Sequence, residues 1–353
     1  MNGRARLPVV VDTTLRDGIQ MPGAVLSFNA KAAIFDRLAL LGISEAEIGC
    51  PAQGAGAVTE IRRLRERHPT VNCSTWCRAR KDDIDAAAQA GVATIHISFP
   101  VSDCHMAIGG NTRKQVLKRL SGLIRYALSA APRVTIGAQD ASRADPLFLQ
   151  LFITAAVDAG ASRIRIADTV GSATPQSVSR IITAIKTTCP SAHLEFHGHN
   201  DFGLATANTL AAIEAGVDAV SVTVQGVGER AGNAPLEEII TAAVMLYGYT
   251  TSLRLEALDE LCRTATRYFN LPEQPNKAIC GSNAFRHESG IHCHGMLRDP
   301  LAYQPIDPAG VGRRNSYSIG EQSGYSSLRA VLRENGISID EGLLRTLWKN
   351  RHG

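Results

Sequence analysis

Residues 159–169 read Ala-Gly-Ala-Ser-Arg-Ile-Arg-Ile-Ala-Asp-Thr. A helix-like segment ends at Ala159-Gly160, and a β-rich run follows at once over residues 163–168. A glycine just past a helix supplies the left-handed turn that ends it, and a short apolar run suits a buried parallel strand. The stretch therefore predicts a helix followed directly by a strand, as in an α/β protein.

The same junction recurs at Leu41-Gly42, Ala90-Gly91 and Ala215-Gly216, each before another β-rich run. Between the runs lie segments rich in Ala, Leu, Arg and Glu, with apolar residues at the i, i+3, i+4 spacing of a helix. The predicted strands are residues 7–12, 43–49, 71–76, 93–99, 133–138, 163–168, 193–198 and 218–224. The predicted helices include residues 30–41, 57–67, 113–130 and 176–188.

Eight alternations of strand and helix are typical of a closed parallel (β/α)8 TIM barrel, although an open doubly wound sheet gives similar alternation. We expect the barrel to occupy residues 1–252 and to close near Tyr247. Residues 253–353 change in character: a helix at 255–268, a Gly-, His- and Pro-rich stretch at 272–312, and helices at 326–334 and 340–349. They predict a smaller, mostly helical accessory subdomain.

The composition is that of an ordinary globular chain, with 44% hydrophobic and 20% charged residues, which argues against disorder, collagen and coiled coils. The formal net charge is +4 and its cations are dispersed, so we expect no nucleic-acid partner. No apolar run reaches membrane-spanning length, and the apolar run at 7–11 is too short for a secretion signal. We therefore expect a cytoplasmic protein without membrane attachment, whose eight cysteines, lacking any CxxC pair, are reduced thiols.

Active sites of such barrels lie at the carboxyl ends of the strands, and several of the predicted ends are polar. His197 and His199 are two residues apart on one strand, so both imidazoles can face the barrel mouth. Asp17 after the first strand can add a carboxylate oxygen and Asn233 after the eighth a carbonyl oxygen, which leaves room on the metal for water and substrate. The alternative is that a histidine only makes a hydrogen bond in the core.

Two further charged residues near the strand ends, Arg16 and Glu195, are candidates for the same site. Arg16 stands beside Asp17, where a guanidinium can hold a keto or enolate oxygen; its alternative role is a surface ion pair. Glu195 shares the strand face of His197 and His199 by the same two-residue spacing.

Three motifs carry a family resemblance: residues 12–18 (Asp-Thr-Thr-Leu-Arg-Asp-Gly), 197–203 (His-Gly-His-Asn-Asp-Phe-Gly) and 226–233 (Gly-Val-Gly-Glu-Arg-Ala-Gly-Asn). They resemble the signature motifs of the homocitrate synthase and 2-isopropylmalate synthase family, within the DRE-TIM superfamily of metal-dependent barrel lyases and Claisen-type acyltransferases. Residues 287–292 with Asp299-Pro300 and Tyr303 resemble the accessory subdomain of homocitrate synthases. Within the family, the chain as a whole most resembles the nitrogen-fixation type of homocitrate synthase.

The resemblance implies an enzyme that condenses acetyl-CoA with a 2-oxo acid at a divalent cation (Mg²⁺, Mn²⁺, Zn²⁺ or Co²⁺), in a homodimer. The implied metal ligands are Asp17, His197 and His199, with Asn233 as a fourth or supporting one. Arg16 would stabilise the developing oxyanion. Gln20, Asp168, Thr169 and Glu195 would line the 2-oxo acid pocket, with Glu195 also a candidate catalytic group. His287 and Tyr303, reaching in from the partner subunit, would assist proton transfer.

Two further features of the sequence bear on the identity of the acceptor. The segment Pro100-Val101-Ser102-Asp103 resembles homocitrate synthases, and we expect no regulatory domain after Gly353 of the kind that leucine-controlled isopropylmalate synthases append, so 2-oxoglutarate is the predicted acceptor. Arg143 and His105 are candidates for binding its distal carboxylate, and a structural hydrogen bond is the alternative role of each.

Three departures from the family pattern leave other acceptors open: Ile19 and Gln139 stand where Glu is usual, and Glu321-Gln322 where Lys-His is usual. The other acceptors are 2-oxoisovalerate, pyruvate, or a phosphonate or phosphinate keto acid such as phosphonopyruvate. A carbon–carbon lyase on the same barrel, and a metal-binding protein without catalysis, are the alternatives from other functional classes.

Overall fold

The structure is a computed structural model, and it describes residues 5–350. Its central feature is a closed barrel of eight parallel strands in sequential order, with β1 paired to both β2 and β8. The strands are β1 Val9–Asp12, β2 Glu45–Glu47, β3 Asn72–Arg78, β4 Thr94–Pro100, β5 Arg133–Gln139, β6 Arg163–Asp168, β7 Leu194–Gly198 and β8 Ala219–Val222. The predicted TIM barrel is confirmed, and every predicted strand overlaps an observed one.

Helices follow the strands around the barrel. They are α1 Phe28–Leu41, α2 Ala55–Arg67, α3 Lys81–Ala90, α4 Asp103–Ile108, α5 Arg113–Leu128, α6 Pro146–Asp158, α7 Pro175–Thr188, α8 Ala205–Glu214 and α9 Leu236–Met245. Helix α7 illustrates why they form: the Thr174 side chain caps the backbone N–H of Ser177, and proline occupies the first helical position. One apolar stripe, including Val178 and Ile182, is buried.

The four glycines that the sequence places after helices end them as expected. Gly42, Gly91, Gly160 and Gly216 all have positive φ angles between 72° and 99°. The backbone N–H of Gly42 lies 3.0 Å from the carbonyl oxygen of Ala39 and 3.2 Å from that of Leu38. Glycine adopts this left-handed conformation without a Cβ clash, so each helix stops abruptly and the next strand starts within a few residues.

The inner wall of the barrel is unusually polar. Barrels of this class are commonly filled by layers of branched apolar side chains. Here Glu47, Arg165 and Glu195 are at most 4% exposed, whereas the alternate residues Ile164 and Ile166 of β6 belong to the apolar core. The two-residue period of a strand thus separates a charged face from an apolar face.

The chain divides into two compact units, Met1–Arg254 with Leu261–Leu271, and Leu255–Glu260 with Pro272–Gly353. The sequence assigned all of residues 255–268 to the accessory subdomain. Leu261, Cys262 and Ala265 of α10 (Leu258–Phe269) are nevertheless almost fully buried, and Gln225 Nε2 donates to Thr266 Oγ1 across 3.1 Å. Packing of this apolar face explains why 261–271 belongs to the first unit.

The second unit is small and largely helical. It contains α11 Gly290–Met296, α12 Tyr325–Glu334 and α13 Glu341–Lys349, together with the short parallel strands β9 Arg286–His287 and β10 Ser316–Tyr317. Arg313 organises it internally, because its guanidinium donates to Asp259 and to the carbonyl oxygens of Cys280 and Gly281.

Within residues 5–350, no helix combines the length and the apolar character needed to cross a lipid bilayer. The eight cysteines are all free thiols.

Candidate active site

Strand β7 and the residue just after its end supply two of the predicted metal ligands. Its alternate residues Glu195 and His197 face the barrel interior, and His199 follows just after the strand. His199 forms an antiparallel bridge with Asn233, which belongs to the loop after β8. The backbone N–H of Ala234 also donates to Gly198 O across 3.1 Å. The two loops are therefore held together by main-chain hydrogen bonds, and this pairing places Asn233 beside His199.

Asp17 reaches the same point from the turn after β1. The backbone N–H groups of Arg16 and Asp17 both donate to Thr13 O, which makes a tight turn at the strand end. Thr13 Oγ1 donates to Val222 O of the neighbouring β8, so the turn is tied to the barrel wall. Asp17 is only 2% exposed as a result.

The ligand atoms of these three residues converge. His197 Nε2 lies 3.2 Å from Asp17 Oδ2 and 3.3 Å from His199 Nε2, and suitable donor atoms of all three lie within 4.8 Å of one another. Two ligand atoms bound to one ion at about 2.1 Å, and 90–109° apart, are separated by about 3.0–3.4 Å. The observed separations match that spacing, so these residues fit a divalent cation.

Two buried oxygens at the site support the same conclusion. Within residues 5–350, neither Asp17 Oδ2 nor Asn233 Oδ1 has a hydrogen-bond partner of good geometry. The amide nitrogen of Asn233 is used, because it donates to Val227 O across 3.0 Å. A buried oxygen without a donor is costly, and a cation would satisfy both.

The electrostatics favour the protonation states that a cation requires. Burial alone would raise the pKa of Asp17, but the charge of Arg16 and the neighbouring His197 imidazole hold the pKa well below its usual value. Burial, and then the charge of His197, lower the pKa of His199 to about 4. At neutral pH Asp17 is therefore ionised and His199 is neutral, as metal ligands must be.

Arg16 is held beside this cluster. Its Nη1 atom lies 3.1 Å from Asp17 Oδ1, and its Nε atom donates to Glu47 of β2. The Arg16 side chain is only 8% exposed. A guanidinium fixed by two carboxylates next to a metal-type cluster can donate to an oxygen on which negative charge develops.

The candidate substrate-binding residues after strands β1 and β6 differ in how far their side chains are already hydrogen-bonded to the protein. Gln20 ends a short 3-10 helix, Gly18–Gln20, and is exposed. The Asp168 carboxylate accepts from Ser142 Oγ and from the backbone N–H groups of Ser172 and Ala173, so it orders its own loop. Thr169 Oγ1 accepts the backbone N–H of Asp140 across 2.9 Å.

Arg143 and His105, the candidates for a distal carboxylate, both face Asp140. The Arg143 Nη2 atom lies 2.7 Å from Asp140 Oδ2, and His105 Nε2 lies 3.8 Å from the same oxygen. Asp140 is fully buried and has a left-handed backbone conformation at φ 63°, and Ser102 also donates to its carboxylate. A carboxylate of the protein thus already occupies the position that these residues were predicted to keep for a substrate.

Glu195 was predicted to line the 2-oxo acid pocket, but its surroundings are those of a buried ion pair. It is fully buried, and its carboxylate accepts from Arg163, Arg165 and Ser221. Burial would raise its pKa, but the charges of Arg165 and Arg163 hold the pKa well below its usual value. Both oxygens are already bound by protein groups, so this geometry favours an ion-pair role over direct catalysis.

His287 and Tyr303 lie in the second unit. His287 belongs to β9, and its ring centroid is 6.1 Å from that of Tyr317. Tyr303 stacks on His292 with centroids 4.2 Å apart. Their participation in the barrel site stays a prediction.

A TIM barrel with an Asp–His–His cluster at the carboxyl ends of its strands defines the structural class of this protein. Residues 8–264 match the HMGL-like family, and residues 279–351 match the homocitrate synthase post-HMGL domain-like family. The chain therefore belongs to the HMGL-like family, as its three sequence motifs predicted.

Individual relatives agree with this assignment. A 2-isopropylmalate synthase of Sulfolobus acidocaldarius is 40% identical over 96% of this chain and 89% of its own. A homocitrate synthase of Frankia alni is 40% identical over 92% of this chain and 93% of its own. Among solved structures, hydroxymethylglutaryl-CoA lyase from Pseudomonas aeruginosa superposes with a TM-score of 0.69 at 21% identity, covering 80% of this chain and 97% of that one. The last similarity concerns the fold alone.

Proposed function

We propose that this protein is a metal-dependent acyltransferase that condenses acetyl-CoA with a 2-oxo acid, releasing CoA. The observation that carries the proposal is the convergence of Asp17, His197 and His199 beside the Arg16 guanidinium. The names of the relatives support the reaction class, since a 2-isopropylmalate synthase and a homocitrate synthase both match over most of their length.

The residues of the barrel account for the charge that develops. Asp17, His197, His199 and Asn233 would hold the cation, which when bound polarises the keto oxygen of the acceptor as a Lewis acid. Arg16 donates hydrogen bonds to the same oxygen as negative charge accumulates there. Because burial excludes water around Arg16, this stabilisation is stronger than it would be in bulk solvent.

The condensation also needs a base. We propose that His287, assisted by Tyr303, takes a proton from the acetyl methyl group, and that both residues come from the partner subunit of a homodimer. The methyl carbon then forms a bond to the keto carbon, whose oxygen is protonated. Water cleaves the thioester, which yields a carboxylate and free CoA.

For the acceptor we propose 2-oxoglutarate, with homocitrate as the product. Arg143 would bind the distal carboxylate with a donor that its pairing to Asp140 leaves over, with His105 nearby. The two relatives have different names at the same identity, so similarity does not rank the acceptors. The alternative is the same chemistry on 2-oxoisovalerate, pyruvate or a phosphonate keto acid.

The direct test is release of free thiol from acetyl-CoA in the presence of each 2-oxo acid, with product masses determined. The proposal expects release that depends on a divalent cation and on the 2-oxo acid, with 2-oxoglutarate giving the highest kcat/KM. A higher kcat/KM for another acceptor would mean that the protein catalyses the condensation but that homocitrate is not its product. Absence of thiol release from acetyl-CoA with every 2-oxo acid would reject the condensation and favour a carbon–carbon lyase.

A further inference from the structure

A chain of alternating charges runs through the barrel and ends at the candidate active site. It starts where β2 and β6 begin, at Glu45 and Arg163, and finishes in the turn after β1. The consecutive pairs are Glu45–Arg163 at 2.6 Å, Arg163–Glu195 at 2.8 Å, Glu195–Arg165 at 2.6 Å, Arg165–Glu47 at 3.0 Å, Glu47–Arg16, and Arg16–Asp17 at 3.1 Å.

Stability does not explain this chain. Removing ionised groups from water is so costly that buried ion pairs are often no better than apolar residues of similar volume. Apolar layers are also the usual filling of this class of barrel. Four carboxylates and three guanidinium groups replace such layers here, and the two ends of the chain differ: one lies at the start of the strands, the other at a proposed metal ligand.

Arg165 binds Glu47, which is the carboxylate that in turn binds Arg16. Its Nη1 and Nη2 atoms lie 3.2 Å and 3.0 Å from the two oxygens of Glu47, while Glu195 holds its Nε atom. Glu47 in turn accepts the Nε–H of Arg16. The guanidinium of Arg165 therefore donates to Oε1, the Glu47 oxygen that also accepts from Arg16, and its Nη2 atom lies 3.0 Å from Oε2. A charged hydrogen bond and an ion pair together hold the carboxylate that orients Arg16.

We propose that Arg165 is a positioning residue, which acts through Glu47 to hold the Arg16 guanidinium in its reactive orientation. The inference rests on the function proposed above. Glu195 takes part in this positioning, because its carboxylate accepts from Arg165 Nε while the two Nη atoms lie against Glu47. Reacting groups that are misplaced by about 1 Å can lose about a hundredfold in rate, so a residue that never touches substrate can control kcat.

The chain offers a matched control in Arg163. It lies two residues away on the same face of β6 and binds the same Glu195, but its second partner is Glu45 rather than Glu47. A purely structural role of the buried guanidinium groups predicts similar effects from Arg163→Met and Arg165→Met. A positioning role predicts that only Arg165→Met changes the behaviour of Arg16.

The experiment compares both substitutions in the wild-type chain and in an Arg16→Lys background, by steady-state kinetics. Arg165→Met should lower kcat about a hundredfold with little change in the KM of acetyl-CoA, and Arg163→Met should lower kcat less than about threefold. In the Arg16→Lys background, Arg165→Met should add less than about threefold, because the group that it positions is already altered. Equal kcat losses in Arg163→Met and Arg165→Met, or full additivity with Arg16→Lys, would overturn the proposal.

A second measurement does not depend on turnover. The Nε–Hε resonance of Arg16, assigned by its loss in Arg16→Lys, should shift or broaden in Arg165→Met and remain in place in Arg163→Met. An unchanged resonance in Arg165→Met refutes the positioning role even if the wild type condenses no 2-oxo acid, so the two proposals fail separately. If Arg165→Met does not fold, Arg165→Lys keeps the charge but cannot contact Glu195 and Glu47 with the same planar group, and it should remain folded yet show the same displaced resonance.

Discussion

Asp17 Oδ2 and His197 Nε2 lie 3.2 Å apart, although one residue follows the first strand of the barrel and the other belongs to the seventh. Closure of the barrel between β1 and β8 makes this proximity possible, because strands seven, eight and one become consecutive around the ring. The cluster consequently depends on the whole barrel being formed, and cation binding and folding should be linked.

The first prediction concerns that linkage. His199→Ala should abolish stoichiometric binding of Mn²⁺ or Zn²⁺ and should remove the stabilisation that the cation provides. A cation at a hundredfold excess over its Kd adds about 2.7 kcal/mol, which corresponds to a Tm increase of about 5–10 °C for a barrel of this size. Metal content and Tm, each with and without chelator, are the measurements.

His193→Ala is the matched control for this substitution. His193 precedes the same strand, is exposed, and pairs with Asp218 at 3.3 Å instead of facing the cluster. It should leave both metal content and the Tm increase unchanged. Retention of bound cation in His199→Ala would show that the site has been assigned to the wrong residues.

The second prediction concerns assembly. If His287 serves the barrel of a partner subunit, an inactive Asp17→Asn chain mixed with an inactive His287→Ala chain should regain activity in the heterodimer. One of the two sites then combines an intact barrel with an intact His287, so about half of the wild-type rate is expected from the purified heterodimer. Thiol release after co-expression with two affinity tags measures it. No recovery in purified heterodimers would contradict exchange of the accessory units.

The third prediction concerns the acceptor. With 2-oxoglutarate as the acceptor, Arg143→Met should raise the acceptor's KM about tenfold or more, because a hydrogen bond to a charged group is lost. The KM of acetyl-CoA should change little. Arg113→Met provides the control, since Arg113 is a half-buried arginine that pairs with Asp103 at 2.7 Å. An equal increase in the KM of a monocarboxylate such as pyruvate in Arg143→Met would show that Arg143 does not bind the distal carboxylate.

The fourth prediction concerns pH. Burial raises the pKa of Asp12 to about 7, against hydrogen bonds from Thr14 that act in the opposite direction. In the unfolded chain the group ionises near its ordinary value of 3.8. Below about pH 4 both states are protonated and Asp12 carries no charge penalty. Between about pH 4 and 7 only the unfolded state ionises, so the free energy of unfolding falls by up to about 4 kcal/mol.

Asp12→Asn should remove this pH dependence, because an amide stays neutral and can still accept the Thr14 N–H. Its Tm relative to wild type should therefore be higher at pH 8 than at pH 4. Asp36→Asn should behave oppositely, since the hydrogen bond from Arg67 lowers the pKa of Asp36 and its contribution is lost as the pH falls. A pH-independent Tm difference for Asp12→Asn would mean that Asp12 is charged in the folded state.

Much of the fold could be predicted because its signals are local. Gly42, Gly91, Gly160 and Gly216 mark helix ends through their own backbone preference, which needs no tertiary information. The cluster of His197, His199 and Asp17 also follows from strand periodicity and the common location of strand ends. The division of helix α10 between the two units could not be predicted from the sequence, because it depends on packing against residues distant in the chain.

The charged residues of the inner barrel wall were not predicted, although the sequence contains a pattern that indicates them. Glu45-Ala46-Glu47 and Arg163-Ile164-Arg165 show the same two-residue spacing that singled out His197 and His199. The pairing of Arg143 with Asp140 could not be inferred, because it depends on a left-handed conformation at Asp140, which few residues other than glycine adopt.

The charged inner wall also constrains how this sequence can diverge. Loss of Glu195 removes a shared partner from Arg163 and Arg165, so that the three guanidinium groups are left with one compensating carboxylate fewer. Breaking a buried ion pair costs about 3–5 kcal/mol, a large part of the roughly 5–15 kcal/mol by which the folded state of a domain is more stable than the unfolded state. Substitutions at Glu47, Arg165 and Glu195 should therefore become fixed in compensated sets rather than singly. Among relatives these positions should covary, and a chain that has exchanged one of them should have exchanged its partner as well.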